Sequence, residues 1–479
     1  MRAATTIRYL FPLLLLSSGY FHAQPPAIRH LGQPLDLPSV LSEYIKYPSV
    51  SGSEKAAGDF LRTLCAENGL HITPMGEADG NYNFAASIRP LEAGLPNIIF
   101  LNHIDVVPAE DPSTWEHPPY AGTVTETEVW GRGAFDNKGV AMIQLSTVLE
   151  AQASYRGQPI PYNVTLLAVS CEENQCAGGA RYVVENYLQL LNPAVVIGEG
   201  PPAVTEVLRR FPEREIFGIS VAHKNALWLK LEVSVETTGH GSITPLKYAN
   251  REMVTALNRL LRKRQRGIYT DLNVSLLRQL GRMEKGVTGF VMKHPRMFRP
   301  LLMAQLRKQP EIFALFSNTI TLTGLDSRNE VVNILAPTAT ALLDCRLLPM
   351  TSPEKFLARL ERRMNNPDIR ITVLKQMPET LPSSPRSPFF QYLSASIREH
   401  YLDSEVASIF LPSSSDLGLF RSHGVPAFAS VPVRLDRSYL DRVHNRDEHI
   451  PHAILHEGPK VYTTFLQKCM GEINVGSTN

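Results

Sequence analysis

From Asn97 onward the chain alternates between two hydrophobic rhythms. "NIIFLNHID" (97–105) is an almost unbroken apolar run, the pattern of a strand buried on both faces. "GVAMIQLSTVLEAQA" (139–153) instead spaces its apolar residues for a helix. "YNVTLLAVSCEEN" (162–174) returns to strand, "GGARYVVENYLQLL" (178–191) to helix and "PAVVIGEGPP" (193–202) to strand. This alternation predicts an α/β fold, a mostly parallel sheet with helices on both faces. Upstream, residues 37–70 read as two helices flanking a Pro/Ser/Gly loop.

Near Val221 the rhythm changes. "LWLKLEVSVETTG" is a long alternating strand and "NREMVTALNRLLRKRQ" an amphipathic helix. A Met/Arg/Phe-rich helical stretch follows, then "NTITLTGL", "ATALLDCRLLP", the helix "PEKFLARLERRM" and the strand "DIRITVLK". The order β-α-β-β-α-β is that of a ferredoxin-like α+β sandwich. "TLPSSPRSPFF" (380–390) reads as a linker, "FASVPVRL" as a strand and "HAILHEGPKVYTTFLQKCM" as a helix. The expected organisation is a catalytic domain in two parts, 37–221 and 386–474, interrupted by an inserted lid or dimerisation domain, 222–377.

The length of 479 residues suits two domains. A net charge of +2 points to no polyelectrolyte partner, so no nucleic acid is expected. The basic run Arg259–Arg266 reads as a solvated helix face. Arg2 and Arg8 precede a short apolar core, Tyr9 to Leu16, in the shape of a signal peptide spanning 1–23, which implies a secreted or periplasmic protein. Nothing later predicts a stable membrane anchor. Five Cys do not make a disulfide scaffold; Cys171 and Cys176 are close enough to pair, but free or buried thiols are the expectation. Sequons stand at Asn163 and Asn273.

Three predicted strands end in residues that bind metals: His103 with Asp105, Glu172 with Glu173, and Glu199. In open α/β sheets the functional crevice lies beyond the carboxyl ends of the strands. Asp136, in "GRGAFDNKG" before a helix, can reach the same crevice, or serve simply as a helix N-cap. Imidazoles and carboxylates suit zinc, and one carboxylate bridging two ions makes a two-metal site. A serine hydrolase is disfavoured because no Gly-x-Ser-x-Gly elbow occurs, and the Gly-rich turn lacks a phosphate loop's Gly-Lys-Ser/Thr ending.

With "HIDVVP", "WGRGAFDNKG", "EEN", "GEG", "GHGSITP" and "VHNRDEHIP", the sequence from about Pro38 to the C-terminus resembles the aminoacylase, carboxypeptidase S and glutamate carboxypeptidase group of co-catalytic zinc hydrolases, most of all its carboxypeptidase S branch. The resemblance implies two Zn2+ ions, with Co2+ or Mn2+ as substitutes. His103 and Glu199 would bind one, His444 and Glu173 the other, and Asp136 would bridge them. Asp105 would orient His103, and Glu172 would be the general base for the attacking water. A cis Asp136–Asn137 peptide bond is implied as well. His240 would stabilise the tetrahedral oxyanion, from the partner subunit in dimeric members. Asn333 and Arg346 would grip a substrate carboxylate. One departure is Gly418, standing where the family usually has Arg two residues after the retained Asp416.

The expected activity is cleavage of a peptide or N-acyl amide bond next to a free carboxylate, and Glu199 in place of Asp favours carboxypeptidase or deacylase members over dipeptidases. The substrate would be a peptide or N-acyl amino acid, and the protein a possible homodimer through the lid. The alternatives are a dipeptidase or other deacylase on the same site and, in a different class, a catalytically silent binding protein.

Overall fold

The computed structural model describes residues 28–236, 239–327 and 331–471; the predicted signal peptide lies outside them. The apolar runs become an eight-stranded sheet. Its order is Glu405–Leu411, Ile216–His223, Ala427–Ala429, Pro193–Gly198, Asn97–His103, Asn163–Val169, Asn81–Ser87, His71–Ala78. Its inner four strands, from Ala427–Ala429 to Asn163–Val169, are mutually parallel. Antiparallel pairings flank them. Every residue of Asn97–His103 and of Asn163–Val169 is buried, which is why these strands read as unbroken apolar runs.

Side chains alternate across a strand, so the Asn97–His103 strand serves two cores. Ile98 and Phe100 join the core of helices Lys138–Ser154 and His452–Met470, whereas Ile99 and Leu101 join that of helix Ala180–Leu191. Helices thus cover both faces, as predicted.

The second sheet is antiparallel throughout, in the order Thr319–Asp326, Thr338–Leu347, Asn225–Ser234, Arg370–Gln376. Helices Ala249–Arg262 and Pro353–Met364 pack on it around a separate core that includes Leu229, Leu257, Leu343 and Leu360. This is the ferredoxin-like strand order. Helices Asp271–Glu284, Gly286–Lys293, Arg299–Leu306 and Pro310–Ala314 lie between its first helix and second strand. The first of these covers an edge of the large sheet, where Gln279 exchanges hydrogen bonds with the Ser408 backbone (3.4 and 3.0 Å).

Local expectations change at several points. Residues Pro388–Phe390, read as linker, open a helix running to His400, with proline at its first position, where no amide is needed. Of "FASVPVRL", only residues up to Ala429 pair as strand. Both sequon asparagines are buried: Asn163 is bonded to the Arg89 backbone and Asn273 closes a capping box with Thr270. The two cysteines expected to be free thiols, Cys171 and Cys176, form a disulfide. Left-handed residues at Cys171 and Gln175 fold the intervening turn tightly enough to bring the two Cα atoms within 5.4 Å. Cys65, Cys345 and Cys469 are free and buried.

Candidate metal centre

Register aligns the three strand ends. His103 pairs with Val169 on one neighbour, and Phe100 with Ile197 on the other. Glu172, Glu173 and Glu199 therefore leave the sheet at the level of His103. Asp136 arrives on the turn before helix Lys138–Ser154, through an Asp136–Asn137 peptide bond that is cis, as the resemblance implied.

The Asp136 carboxylate stands between two imidazoles. Oδ1 lies 3.1 Å from His103 Nε2, and Oδ2 lies 3.1 Å from His444 Nε2. Glu199 Oε2 is 3.1 Å from His103 Nε2, and Glu173 Oε1 is 3.2 Å from His444 Nε2. Five side chains thus divide into two sets that share Asp136. Glu172 belongs to the same cluster, within ligand distance of His103 and Glu199. Asp136 does not cap the helix, whose N-cap position is Asn137. The Asn137 amide instead donates to Glu199 Oε2 (2.6 Å).

Asp105 stands beside the His103 ring. His103 Nδ1 is 2.9 Å from the Asp105 backbone oxygen and 3.4 Å from its carboxylate. That carboxylate mainly accepts from the backbone N–H groups of Glu172 (3.0 Å) and Glu173 (3.1 Å) and from Ser51 Oγ (2.6 Å). It fixes the loop that carries both glutamates.

The charges are arranged for cations. Burial opposes ionisation of Asp136, yet hydrogen bonds to His103 and His444 hold its carboxyl well below the usual range. Burial, then the Glu199 and Asp416 charges, push Glu172 well above it. Bonds to Asp136 and Glu173 push His444 up to about 10. Desolvation of His103 is outweighed by Glu199, Asp105 and Asp136, which raise it well above an ordinary histidine. Without a metal the carboxylates thus recruit protons to the rings, and a divalent cation would replace those protons. Glu173 Oε1 is buried, with the His444 ring nitrogen 3.2 Å away. The donor set fits two ions.

The substrate residues named by resemblance fall into two places. Arg346 binds Asp344 (2.8 Å) and donates to Ser414 Oγ (3.1 Å), two residues before Asp416 in the crevice wall. His240 and Asn333 meet elsewhere: His240 bridges to Ile334, and the Asn333 carbonyl accepts from Gly241 N (2.7 Å). Both are exposed, and His240 Nδ1 is engaged with Ser242 (2.7 Å to Oγ). Arg346 pairs with Ala226 at one end of the four-stranded sheet, while His240 and Asn333 lie past Ser234 at the other. The eight residue steps from Ala226 to Ser234 span about 26 Å of strand.

Several residues escaped the sequence reading. Glu448, fully buried, accepts from Arg132 Nη1 (2.7 Å) and from the backbone N–H groups of Gly133 (2.9 Å), Phe135 (2.9 Å) and Asp136 (3.1 Å). It lies four residues after His444, so one carboxylate fastens both segments that meet at the bridge. Lys375, on the four-stranded sheet, donates to the carbonyls of Asn174 (3.2 Å) and Gln175 (2.5 Å), beside the two glutamates. The signal for Glu448 was an acid in "HNRDEH" close to a candidate ligand histidine; no signal marked Lys375. At Gly418 a Cβ would fall 2.2 Å from the His223 ring, so the position that lacks the usual Arg is filled by histidine.

Comparison with known proteins agrees with this geometry. The model of Peptidase family M20/M25/M40 matches residues 99–468. A probable carboxypeptidase S-like 2 of Dictyostelium discoideum is 24% identical over 77% of this chain and 71% of its own length. The N-fatty-acyl-amino acid synthase/hydrolase PM20D1 of Xenopus tropicalis is 24% identical over 86% of this chain and 82% of its own. The M20 family metallo-carboxypeptidase Sso-CP2 from Sulfolobus solfataricus shares the fold, with a TM-score of 0.68 at 20% identity over 90% of this chain and 98% of that one. The chain belongs to peptidase family M20/M25/M40, a family that includes dinuclear metal-binding peptidases, and is a metal-dependent hydrolase.

Proposed function

We propose that this enzyme hydrolyses a peptide or N-acyl amide bond adjacent to a free carboxylate, using two zinc ions. The observation that carries the reading is the Asp136 carboxylate, 3.1 Å from an imidazole on each side, with Glu172 beside it. His103, Glu199 and Asp136 would hold one ion, and His444, Glu173 and Asp136 the other. Bound there, zinc would polarise the amide carbonyl and lower the pKa of water to about 7. Glu172, beside His103 and Glu199, takes a proton from the attacking water and delivers it to the leaving amine. The names of the two relatives support a carboxypeptidase or an N-acyl-amino-acid hydrolase.

Arg346, at the crevice edge, is proposed to receive the substrate carboxylate in exchange for Asp344. His240 and Asn333 are assigned to the reaction from a second subunit, a reading supported by their place at the far end of the four-stranded sheet. The Cys171–Cys176 disulfide supports export to an oxidising compartment. The test is a hydrolysis screen of zinc-loaded enzyme on N-acyl amino acids and dipeptides, each beside its C-terminal amide. Turnover of the free acids alone is expected. Equal rates on the C-terminal amides would remove the carboxylate from the proposal, and no turnover of any compound, free acid or C-terminal amide, would remove the activity.

A further inference from the structure

Charge is unevenly spread along this nearly neutral chain. Between Arg259 and Lys308 there are thirteen Arg and Lys but only two Asp and Glu, against 48 and 46 in the whole sequence. The remainder of the protein is therefore net acidic. Of the two acids, Glu284 is buried and accepts the Arg210 backbone N–H (3.1 and 3.2 Å), and Asp271 pairs with Arg296 (3.1 Å). From Lys285 to Pro310 there is no acid at all, and Lys285, Lys293 and Lys308 are exposed.

The same segment exposes large apolar side chains. Val287 is 82% exposed, Met297 64%, Leu301 60% and Phe290 47%. Helices Gly286–Lys293 and Arg299–Leu306 already bury an inner face, where Leu302, Met303 and Leu306 pack with Leu277 and Phe316. The Phe290 ring lies 5.9 Å from that of Phe298, which joins the two helices. An ordinary surface helix has one apolar face and turns polar residues to water. Here the outer side is apolar and cationic as well.

We propose that these helices dock the enzyme reversibly on an anionic lipid surface. The cations suit any polyanion, but exposed valine, leucine, methionine and phenylalanine gain nothing from a phosphate backbone. Beneath lipid headgroups they are removed from water while the lysines meet anionic phosphates. A second copy of the chain is a poor occupant, because a symmetric contact would set the same positive charge against itself. The contact is peripheral: among the described residues no helix is long and apolar enough to cross a membrane.

The test is flotation of the full chain with vesicles of phosphatidylcholine alone and of equal parts phosphatidylcholine and phosphatidylglycerol. Binding is expected to the anionic vesicles only, weakening with added salt. Lys285→Glu, Lys293→Glu and Lys308→Glu should each lower the partition coefficient at least about five-fold. Val287→Ser combined with Leu301→Ser should lower it at least about ten-fold, while retention on heparin and the thermal midpoint stay as in the wild type. Failure to bind anionic vesicles at low salt would overturn the proposal. So would undiminished vesicle binding by the Ser double variant, or retention on heparin or nucleic acid with no vesicle binding.

Discussion

The metal centre and the His240–Asn333 end of the smaller sheet carry equally recognisable motifs, yet they are built in opposite ways. At the metal centre His103, Asp105 and Glu448 are buried, and each carboxylate is fixed by backbone amides or histidines from distant parts of the chain. His240 and Asn333 are exposed, and their contacts are with residues of their own turn and the adjoining strand connection. A site that must hold cations in place needs preorganised ligands. A donor meant for a substrate oxygen needs reach and a second body to meet. The motif marks residue identity at both ends; only the folded chain separates the buried, braced half from the exposed half, for which a second subunit is proposed.

The largest effect should follow from removing the base in the buried half. Glu172→Gln keeps the shape of the loop but cannot take a proton, so turnover should fall by at least about 10³-fold with two metal ions still bound. Elemental analysis beside kinetics checks this, and near-normal turnover by a metal-loaded variant would contradict the assignment. Asp136→Ala should instead lower the occupancy of both ions together, because one carboxylate serves both.

Glu448→Gln tests whether the buried half depends on its brace. The change leaves Arg132 buried without its counter-charge and weakens acceptance from three backbone amides. A loss of about 3–5 kcal/mol in unfolding free energy is expected, with weaker metal binding. Urea unfolding and metal titration report it; an unchanged variant would make the clamp incidental.

For the exposed half, His240→Ala should cost about 10²–10³-fold in turnover, the worth of one oxyanion donor, with metal content unchanged. If the donor comes from a partner, mixing His240→Ala with Glu172→Gln subunits should recover activity, since a hybrid dimer holds one complete site. If one chain closes on itself, mixing recovers nothing, and the comparison between the two halves loses its basis.

Much of the buried half was legible in the sequence, for physical reasons. Strands buried on both faces leave unbroken apolar runs, so "NIIFLNHID" announced both a central strand and the candidate ligand at its end. The ferredoxin-like order was equally plain from alternating strands and amphipathic helices. The hairpin His71–Ala78 with Asn81–Ser87 and the strands Ile216–His223 and Glu405–Leu411 were not read, because only tertiary pairing distinguishes them from ordinary mixed segments. Glu448 was hidden among charged neighbours in "HNRDEH": an acid that accepts backbone amides leaves no periodic trace. The Asp344–Arg346 pair, which occupies the proposed carboxylate grip, was equally invisible before the strand showed both side chains on one face.

The disulfide gives the smallest predicted effect and the finest distinction between the halves. Cys171 and Cys176 bracket Glu172 and Glu173, so the bond closes the one loop that carries both the proposed base and a proposed ligand. Its ring is short, and a short ring removes little entropy from the unfolded chain, which sets the expected contribution at about 2 kcal/mol. Cys176→Ser should lower the unfolding free energy by about that amount and make it indifferent to dithiothreitol. The wild type should fall to the variant's level when reduced. Asp105 still accepts from the Glu172 and Glu173 amides and Lys375 still holds the Asn174 and Gln175 carbonyls, so two braces survive the loss of the third. Turnover should therefore drop only a few-fold, through weaker metal retention. Complementation between His240→Ala and Glu172→Gln subunits should persist in dithiothreitol, because the exposed half contains neither cysteine. Loss of complementation on reduction would mean that the loop and the distal turn are coupled.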